Sequence, residues 1–156
     1  MFAADEEWWK HYEGCGEFSG YKMSTDWQVT RNREWRIRYV PCHFQSNQMQ
    51  LDGKYIGWGG NSGFAALNVA ARLGCATILL VGYDFTLSHG FHWHGAHPDS
   101  LANPTESQLI HWGNSIDNAS SVLRQANVTV FNCSSISTLS AYEKIDFNDA
   151  IKRISK

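Results

Sequence analysis

Residues 55–85 carry the clearest structural pattern of the chain and read YIGWGGNSGFAALNVAARLGCATILLVGYDF. The pattern predicts a short strand at Tyr55–Trp58, a glycine-rich turn at Gly59–Gly63, an alanine-rich helix at Phe64–Leu73 and a second strand at Ala76–Tyr83. Because the second strand is apolar throughout, we expect a central strand that is covered on both faces. The strand–helix–strand order predicts parallel strands with a right-handed crossover.

The flanking sequence completes a single α/β domain of 156 residues. Residues 1–34 are rich in aromatic side chains and show no sustained period, so we expect them to be irregular apart from a helical turn at Asp5–Tyr12. Alternation, capping and helical periodicity predict four further elements: a strand at Trp35–Val40, a helix from the Thr105–Gln108 capping box to about Gln125, a strand at Val128–Phe131 and a helix at Phe147–Ile154. Together these elements predict a reduced Rossmann-like fold with three layers and a mainly parallel sheet.

The composition narrows the classes of partner. Hydrophobic residues make up 43% of the chain and the formal net charge is −2, so a packed core is expected and the basic face of a nucleic-acid binder is not. The acidic N-terminal sequence does not fit a signal peptide, and the longest apolar run is too short to span a bilayer. We therefore expect a cytoplasmic protein that binds a small molecule, with no nucleic-acid or membrane partner.

The turn at Gly59–Gly63 predicts a binding site for a phosphate or carboxylate. Free backbone N–H groups and the helix dipole bind anions at a helix start, and glycines allow the ligand to approach the backbone. We expect ligand contacts from Gly60, Asn61, Ser62 and Gly63, with Ser62 either capping the helix or bonding the ligand. The turn matches neither a Walker A sequence nor GxGxxG. The alternative is that these residues make only a tight turn and a cap.

A histidine-rich loop follows the second strand of this unit. Four of the seven histidines lie within it: His89, His92, His94 and His97. Because open α/β sheets bind ligands at the carboxyl ends of their strands, these histidines are candidates for a general base or a ligand contact. A metal site of His92 and His94, with His97 or Asp84 as a third ligand, is a second interpretation. Solvated loop histidines are the third.

Polar residues also follow the two predicted strands that end nearest this loop. Asp84 comes after the apolar strand, where it can bind a ligand hydroxyl or fix the loop by accepting backbone hydrogen bonds. Asn132, Cys133, Ser134 and Ser135 come after the last strand, where they can contact a ligand or cap a short helix. Both interpretations remain open for both groups.

Three segments together resemble a known superfamily: Gly59–Phe85, the HWHGAHP segment at His92–Pro98, and VFNCSSISTLSAYEKI at Val130–Ile145. The resemblance is to a Rossmann-like superfamily that includes bacterial sialyltransferases of lipooligosaccharide synthesis, Maf-type flagellin glycosyltransferases and hydroxymethylpterin diphosphokinase-like proteins. The chain looks most similar to small phage-encoded members of this group. For a phage-encoded protein, the expected compartment is the cytoplasm of the host.

The resemblance implies roles for individual residues. It assigns contacts with a CMP-sugar donor to Asn61, Ser62 and Gly63, and the catalytic base to His97, with His94 as second choice. Asn132–Ser135 match the segment that follows the last strand in the family. The transferases use no metal or other cofactor in this scheme. This chain lacks the family's first strand and its glycine-rich turn, so we expect an uncovered strand edge and a homo-oligomer that covers it.

These observations lead to three functional hypotheses. The first is a glycosyltransferase-like protein that binds a nucleotide-sugar at Gly59–Gly63 and uses a loop histidine as general base. The second is a non-enzymatic phage protein that binds or sequesters a nucleotide. The third is a metal-dependent hydrolase that uses His92, His94 and His97.

Overall fold

A computed structural model of the chain describes residues 1–88, 90 and 103–155. The candidate residues His89, His92, His94 and His97 lie outside the described residues. The described elements are, in chain order: α1 Glu6–His11, β1 Lys22–Ser24, β2 Ile37–Tyr39, β3 Cys42–His43, β4 Ile56–Gly57, α2 Ser62–Arg72, β5 Thr77–Leu80, α3 Glu106–Gln125, β6 Thr129–Asn132, β7 Glu143–Lys144 and α4 Phe147–Ile154.

The strands of the described residues pair in parallel throughout, which confirms the α/β class. They form three small sheets, β1–β2, β3–β4 and β5–β6–β7. Pro41 separates β2 from β3, as expected for a residue that cannot donate a hydrogen bond to a ladder. The strand pairing does not establish a single sheet with three layers, so the Rossmann-like arrangement stays a prediction.

Helix α2 packs against two clusters of apolar side chains. Phe64 and Leu67 lie in the main core with Leu80 of β5 and residues of α3. The neighbouring Ala65 and Val69 lie in a second cluster with Cys42 and Ile56 of the β3–β4 sheet. The alanines of this helix therefore let one face approach a sheet closely while the bulky residues fill the core on the other.

The prediction of a central strand at Ala76–Tyr83 was wrong. Strand β5 is shorter, and it lies at the edge of its sheet within the described residues. Val81, just beyond the strand, is 58% exposed, and Gly82 follows with a φ of +74°. A continuous apolar run does not distinguish an edge strand from a central one, because the pairing partners lie far away in sequence.

The predicted crossover from the strand before α2 to the strand after it also needs correction. Strands β4 and β5 belong to different sheets, although α2 contacts both. The parallel neighbours that the described chain connects through a helix are β5 and β6, and the helix is the 20-residue α3. Its capping box is confirmed: the Gln108 N–H donates to Thr105 Oγ1 at 3.3 Å, and the Thr105 N–H donates to Gln108 Oε1 at 2.9 Å.

The N-terminal region contains the predicted helical turn as α1 and, beyond the prediction, the strand β1. Trp9 of α1 is fully buried against Val29 and Ile37, and its indole N–H donates to the Ala3 carbonyl at 3.0 Å. Residues at the very start of the chain form a parallel bridge with Met23 of β1. Elements of three to six residues have no sustained period, so tertiary packing stabilises them instead.

Candidate functional site

The glycine-rich turn leads into α2 with the geometry of a capped helix start. Gly59 and Gly60 have φ values of +61° and +86°, which side chains rarely allow. Asn61 is the N-cap, because its Oδ1 accepts from the Phe64 N–H at 2.9 Å and its carbonyl accepts from the Ala65 N–H at 3.3 Å. The capping role considered for Ser62 therefore belongs to Asn61.

The Ser62 side chain binds the N-terminal segment instead. Its Oγ accepts from the Ala4 N–H at 3.4 Å and donates to Asp5 Oδ2 at 3.5 Å. A carboxylate beside the first turn of a helix interacts favourably with the helix dipole. Asp5 is thus already placed at the helix start where the sequence predicted an external anion.

Two backbone donors of the first turn of α2 have no partner among the described residues. In the described part of the chain, no acceptor takes the N–H of Ser62 or of Gly63. The Gly63 carbonyl accepts from the Tyr83 hydroxyl at 3.0 Å. A Cβ atom at Gly63 would lie 2.9 Å from Asn61 Oδ1 and 3.1 Å from Tyr83 Cε1, so only glycine fits here without a shift.

Residues of α3 lie on the other side of the turn. A Cβ at Gly60 would lie 2.8 Å from Trp112 Cδ1 and 3.3 Å from His111 Cδ2. His111 is exposed, so it is a histidine at the predicted anion site that sequence analysis passed over. The capping box predicts where α3 begins. It does not indicate that His111 and Trp112 of this helix lie beside the glycine turn.

Asp84 and Ser134 bond to each other rather than standing free. The Ser134 hydroxyl donates to Asp84 Oδ1, and the Asp84 carbonyl accepts from the Thr138 N–H at 2.9 Å. The Ser137 hydroxyl donates to the Tyr83 carbonyl at 2.6 Å. These bonds tie the carboxyl end of β5 to the loop after β6, but the Asp84 carboxylate accepts from a hydroxyl and not from the backbone N–H groups predicted for it.

Two further residues of the predicted strand-end site, Asn132 and Ser135, differ in exposure. Asn132 is 0% exposed, and its Oδ1 accepts from the Ser134 N–H at 3.1 Å. It therefore presents no surface to a ligand, and within the described residues its Nδ2 has no partner. Ser135 is exposed. The Tyr83 hydroxyl donates to the Gly63 carbonyl and so connects the glycine turn with Asp84, the next residue in the chain. Burial raises the pKa of Tyr83 to about 12.

A cavity of about 340 Å³ lies on the other side of Ser62. Its lining comes from five separate segments: Ala4, Asp5, Glu6, Thr25, Asp26, Trp27, Gln28, Tyr39, Phe44 and Trp58. The cavity is lined by residues at the carboxyl end of each of the four strands β1, β2, β3 and β4. Parallel α/β sheets bind ligands at this end of their strands. Sequence analysis missed this cavity, since its lining residues share no local pattern.

Comparison of this chain with family models, with curated proteins and with solved structures found no match. Among the described residues, no three His, Cys, Asp or Glu side chains come close enough together to hold a metal ion. None of the helices in that part of the chain combines the length and the apolar character needed to cross a bilayer.

Proposed function

We propose that this protein binds the phosphate of a CMP-sugar at the start of α2 and transfers the sugar with a histidine of residues 89–97 as general base. One observation carries the proposal: the N–H groups of Ser62 and Gly63 have no acceptor in the described chain, directly after two glycines with positive φ. Two such donors and the dipole of an 11-residue helix form an anion site that needs no cationic side chain.

Asp5 is the internal competitor of the ligand. Its carboxylate lies 3.5 Å from the Ser62 hydroxyl, so it contributes negative charge at the helix start when no ligand is bound. A phosphate carries more charge and can accept both free N–H groups. Binding therefore requires Asp5 to move aside or to share the helix start, and this lowers the affinity for anions.

The transfer step follows from general acid–base chemistry. His97 accepts the proton of the acceptor hydroxyl, the hydroxyl oxygen forms a bond to the anomeric carbon, and the bond from that carbon to the phosphate oxygen breaks. The electron pair of the broken bond leaves with CMP. Backbone N–H groups stabilise the leaving phosphate, so the step needs no metal.

The donor role of the backbone can be tested by two substitutions at one position. Ser62 is the first residue of α2, where proline is tolerated, and Asn61 has a φ of −155° and ψ of 159°, which suit a residue before proline. Ser62→Pro and Ser62→Ala both remove the hydroxyl, but only Ser62→Pro removes the N–H. We expect Ser62→Pro to bind CMP about tenfold more weakly than Ser62→Ala, measured by calorimetry.

Cytidine, which has no phosphate, is the matched ligand control. Equal affinity of the two variants for CMP, or equal affinity of the wild type for CMP and cytidine, contradicts the anion site.

Turnover is tested separately, by CMP release from CMP-sugars in the wild type, in His97→Ala and in His11→Ala, where His11 is an exposed residue of α1. We expect His97→Ala to lose activity by a factor of about 10² or more, while His11→Ala keeps it. Full activity of His97→Ala contradicts its role as the base. Stoichiometric CMP binding without release in the wild type favours the non-enzymatic nucleotide-binding protein.

A further inference from the structure

The cavity beside Ser62 is built from the ends of four strands. Thr25 follows β1, Tyr39 ends β2, Phe44 follows β3 and Trp58 follows β4. Ala4, Asp5 and Glu6, at the start of α1, close the opposite side. A volume of about 340 Å³ lies at the lower end of the range for small-molecule pockets.

Aromatic side chains form the walls of this cavity and keep much of their surface exposed. Trp27 and Phe44 are each 55% exposed and Tyr39 is 45% exposed. Phe44 and Trp58 pack against each other with ring centres 5.5 Å apart, which fixes their orientation. Large aromatic groups left in contact with water at one concave site favour an occupant that covers them.

The charge of the lining has one sign. Asp5, Glu6 and Asp26 contribute carboxylates, and no Lys, Arg or His lies among the lining residues. Glu6 pairs with Lys10 at 3.1 Å, but in the described part of the chain neither Asp5 nor Asp26 forms an ion pair. The only cation found against a lining ring in the described chain is the Arg31 guanidinium, 5.5 Å from the centre of the Trp27 ring, so the three carboxylates still favour a cation in the cavity. This charge is the opposite of the one expected for a nucleotide site.

One buried hydroxyl in the lining lacks a partner. Thr25 is only 2% exposed, and among the described residues its Oγ1 forms no hydrogen bond. Buried polar atoms in folded proteins are nearly always hydrogen-bonded, so this hydroxyl is an exception, although almost none of its own surface is accessible from the cavity.

We propose that this cavity binds the primary ammonium group of a short aliphatic diamine. An ammonium group donates three hydrogen bonds, enough for the carboxylates of Asp5 and Asp26. Its positive charge is attracted to the faces of the aromatic rings, and its aliphatic stem covers them. A quaternary ammonium has no hydrogen to donate to either carboxylate, and a neutral polyol leaves both carboxylates without a counter-charge.

The test is calorimetric titration of the full chain with 1,4-diaminobutane at neutral pH and low salt. Butane-1,4-diol, which has the same carbon chain and no charge, is the matched ligand. We expect the diamine to bind with a Kd of about 1 mM or tighter and the diol to bind at least tenfold more weakly. No binding of the diamine, or equal binding of both compounds, overturns the proposal.

Substitutions that keep the fold separate the charge of the site from its shape. Asp26 Oδ1 accepts from the Gln28 N–H at 2.7 Å, and an asparagine can accept the same bond, so Asp26→Asn removes the charge and keeps the turn. Glu7→Gln is the control, because Glu7 lies on α1 but not in the lining. We expect Asp26→Asn to weaken diamine binding about tenfold and Glu7→Gln to leave it unchanged.

Equal effects of these two variants would mean that the diamine responds only to net charge, and this result overturns the assignment to the cavity. Tyr39→Leu is a further variant that keeps the charge and removes one aromatic wall, and we expect it to weaken diamine binding several-fold. The proposal does not depend on the proposed nucleotide site, because it is tested by the binding of 1,4-diaminobutane and not by the binding of CMP.

Discussion

The two sides of the α2 start differ in how much aromatic and carboxylate surface they leave open. On the side of β5 and β6, Asp84, Ser134 and Tyr83 bond to other parts of the chain, and Asn132 is buried, although its Nδ2 has no partner among the described residues. On the side of β1–β4, aromatic rings are exposed, two carboxylates form no ion pair with the described chain, and one buried hydroxyl has no described partner. Polar residues at strand ends thus serve structure on one side and leave room for a ligand on the other.

This comparison predicts that replacing a phenylalanine by alanine lowers the free energy of unfolding much more on one side than on the other. Phe64 is fully buried in the main core, whereas Phe44 is a largely exposed wall of the cavity. We expect Phe64→Ala to lower the free energy of unfolding by about 3–5 kcal/mol, because it leaves a cavity in the core. Phe44→Ala should change it by no more than about 0.5 kcal/mol. Urea denaturation measures both, and similar losses would show that the cavity wall is part of the core.

The free energy of unfolding should fall at alkaline pH because of Tyr83, which lies on the side of β5 and β6. Burial raises the pKa of Tyr83 to about 12, above its ordinary value near 10, and its hydroxyl donates to the Gly63 carbonyl. The pKa of Tyr83 is higher in the folded protein than in the unfolded chain. The stability that its protonated hydroxyl contributes is therefore complete below about pH 10 and is lost as the pH rises through about 12.

We therefore expect the wild type to lose about 1–3 kcal/mol of unfolding free energy across this window and Tyr83→Phe to lose less. Burial also raises the pKa of Tyr142, so some alkaline dependence should remain in the variant. Denaturant titrations at a series of pH values measure this difference. Parallel curves for the two proteins would mean that Tyr83 ionises without cost to the fold.

The Asp84–Ser134 bond can be compared with a matched neighbour. Ser134→Ala removes the donor to the Asp84 carboxylate, and we expect a loss of about 1–2 kcal/mol in unfolding free energy. Ser135 is the control, because it is exposed and no side-chain bond is found for it in the described chain. Ser135→Ala should change stability by less than about 0.5 kcal/mol. Equal effects of the two variants would assign Asp84 to a site that is free to meet a ligand.

The smallest expected effect is also the most discriminating, because Asp5 lies between the two proposed sites. Asp5→Asn keeps an acceptor for the Ser62 hydroxyl and removes the charge. We expect CMP to bind about two- to fivefold more tightly and 1,4-diaminobutane to bind more weakly by a similar factor. Calorimetry with both ligands on one variant measures this opposition. A change of the same sign for both ligands would contradict at least one of the two sites.

Elements with strong local signals could be predicted closely from the sequence. The capping box of α3 and the bounds of α4 were confirmed, and α2 begins only two residues before its predicted start. The β5 prediction failed because edge position depends on distant pairing, and the N-terminal elements are too short to show a period. The cap was considered only for Ser62, whereas Asn61 caps α2 and the Ser62 hydroxyl contacts Ala4 and Asp5, which lie far away in sequence.

The candidate site was predictable only where it lies within one segment. The glycine turn and its free N–H groups follow from the local sequence. The cavity brings together residues from five segments, and only the parallel pairing of β1–β4 makes their ends meet. Likewise, nothing in the sequence around His111 indicates that α3 packs beside Gly60.

Helix α2 supplies side chains to both apolar clusters that flank it, and this has a consequence for cooperativity. Phe64 and Leu67 enter one cluster, and Ala65 and Val69 enter the other. Neither apolar cluster can open fully while α2 stays in place. We therefore expect the two clusters to unfold together. Amide hydrogens in the middle of α2 should accordingly be among the slowest in the protein to exchange with deuterated solvent, at a rate set by global unfolding.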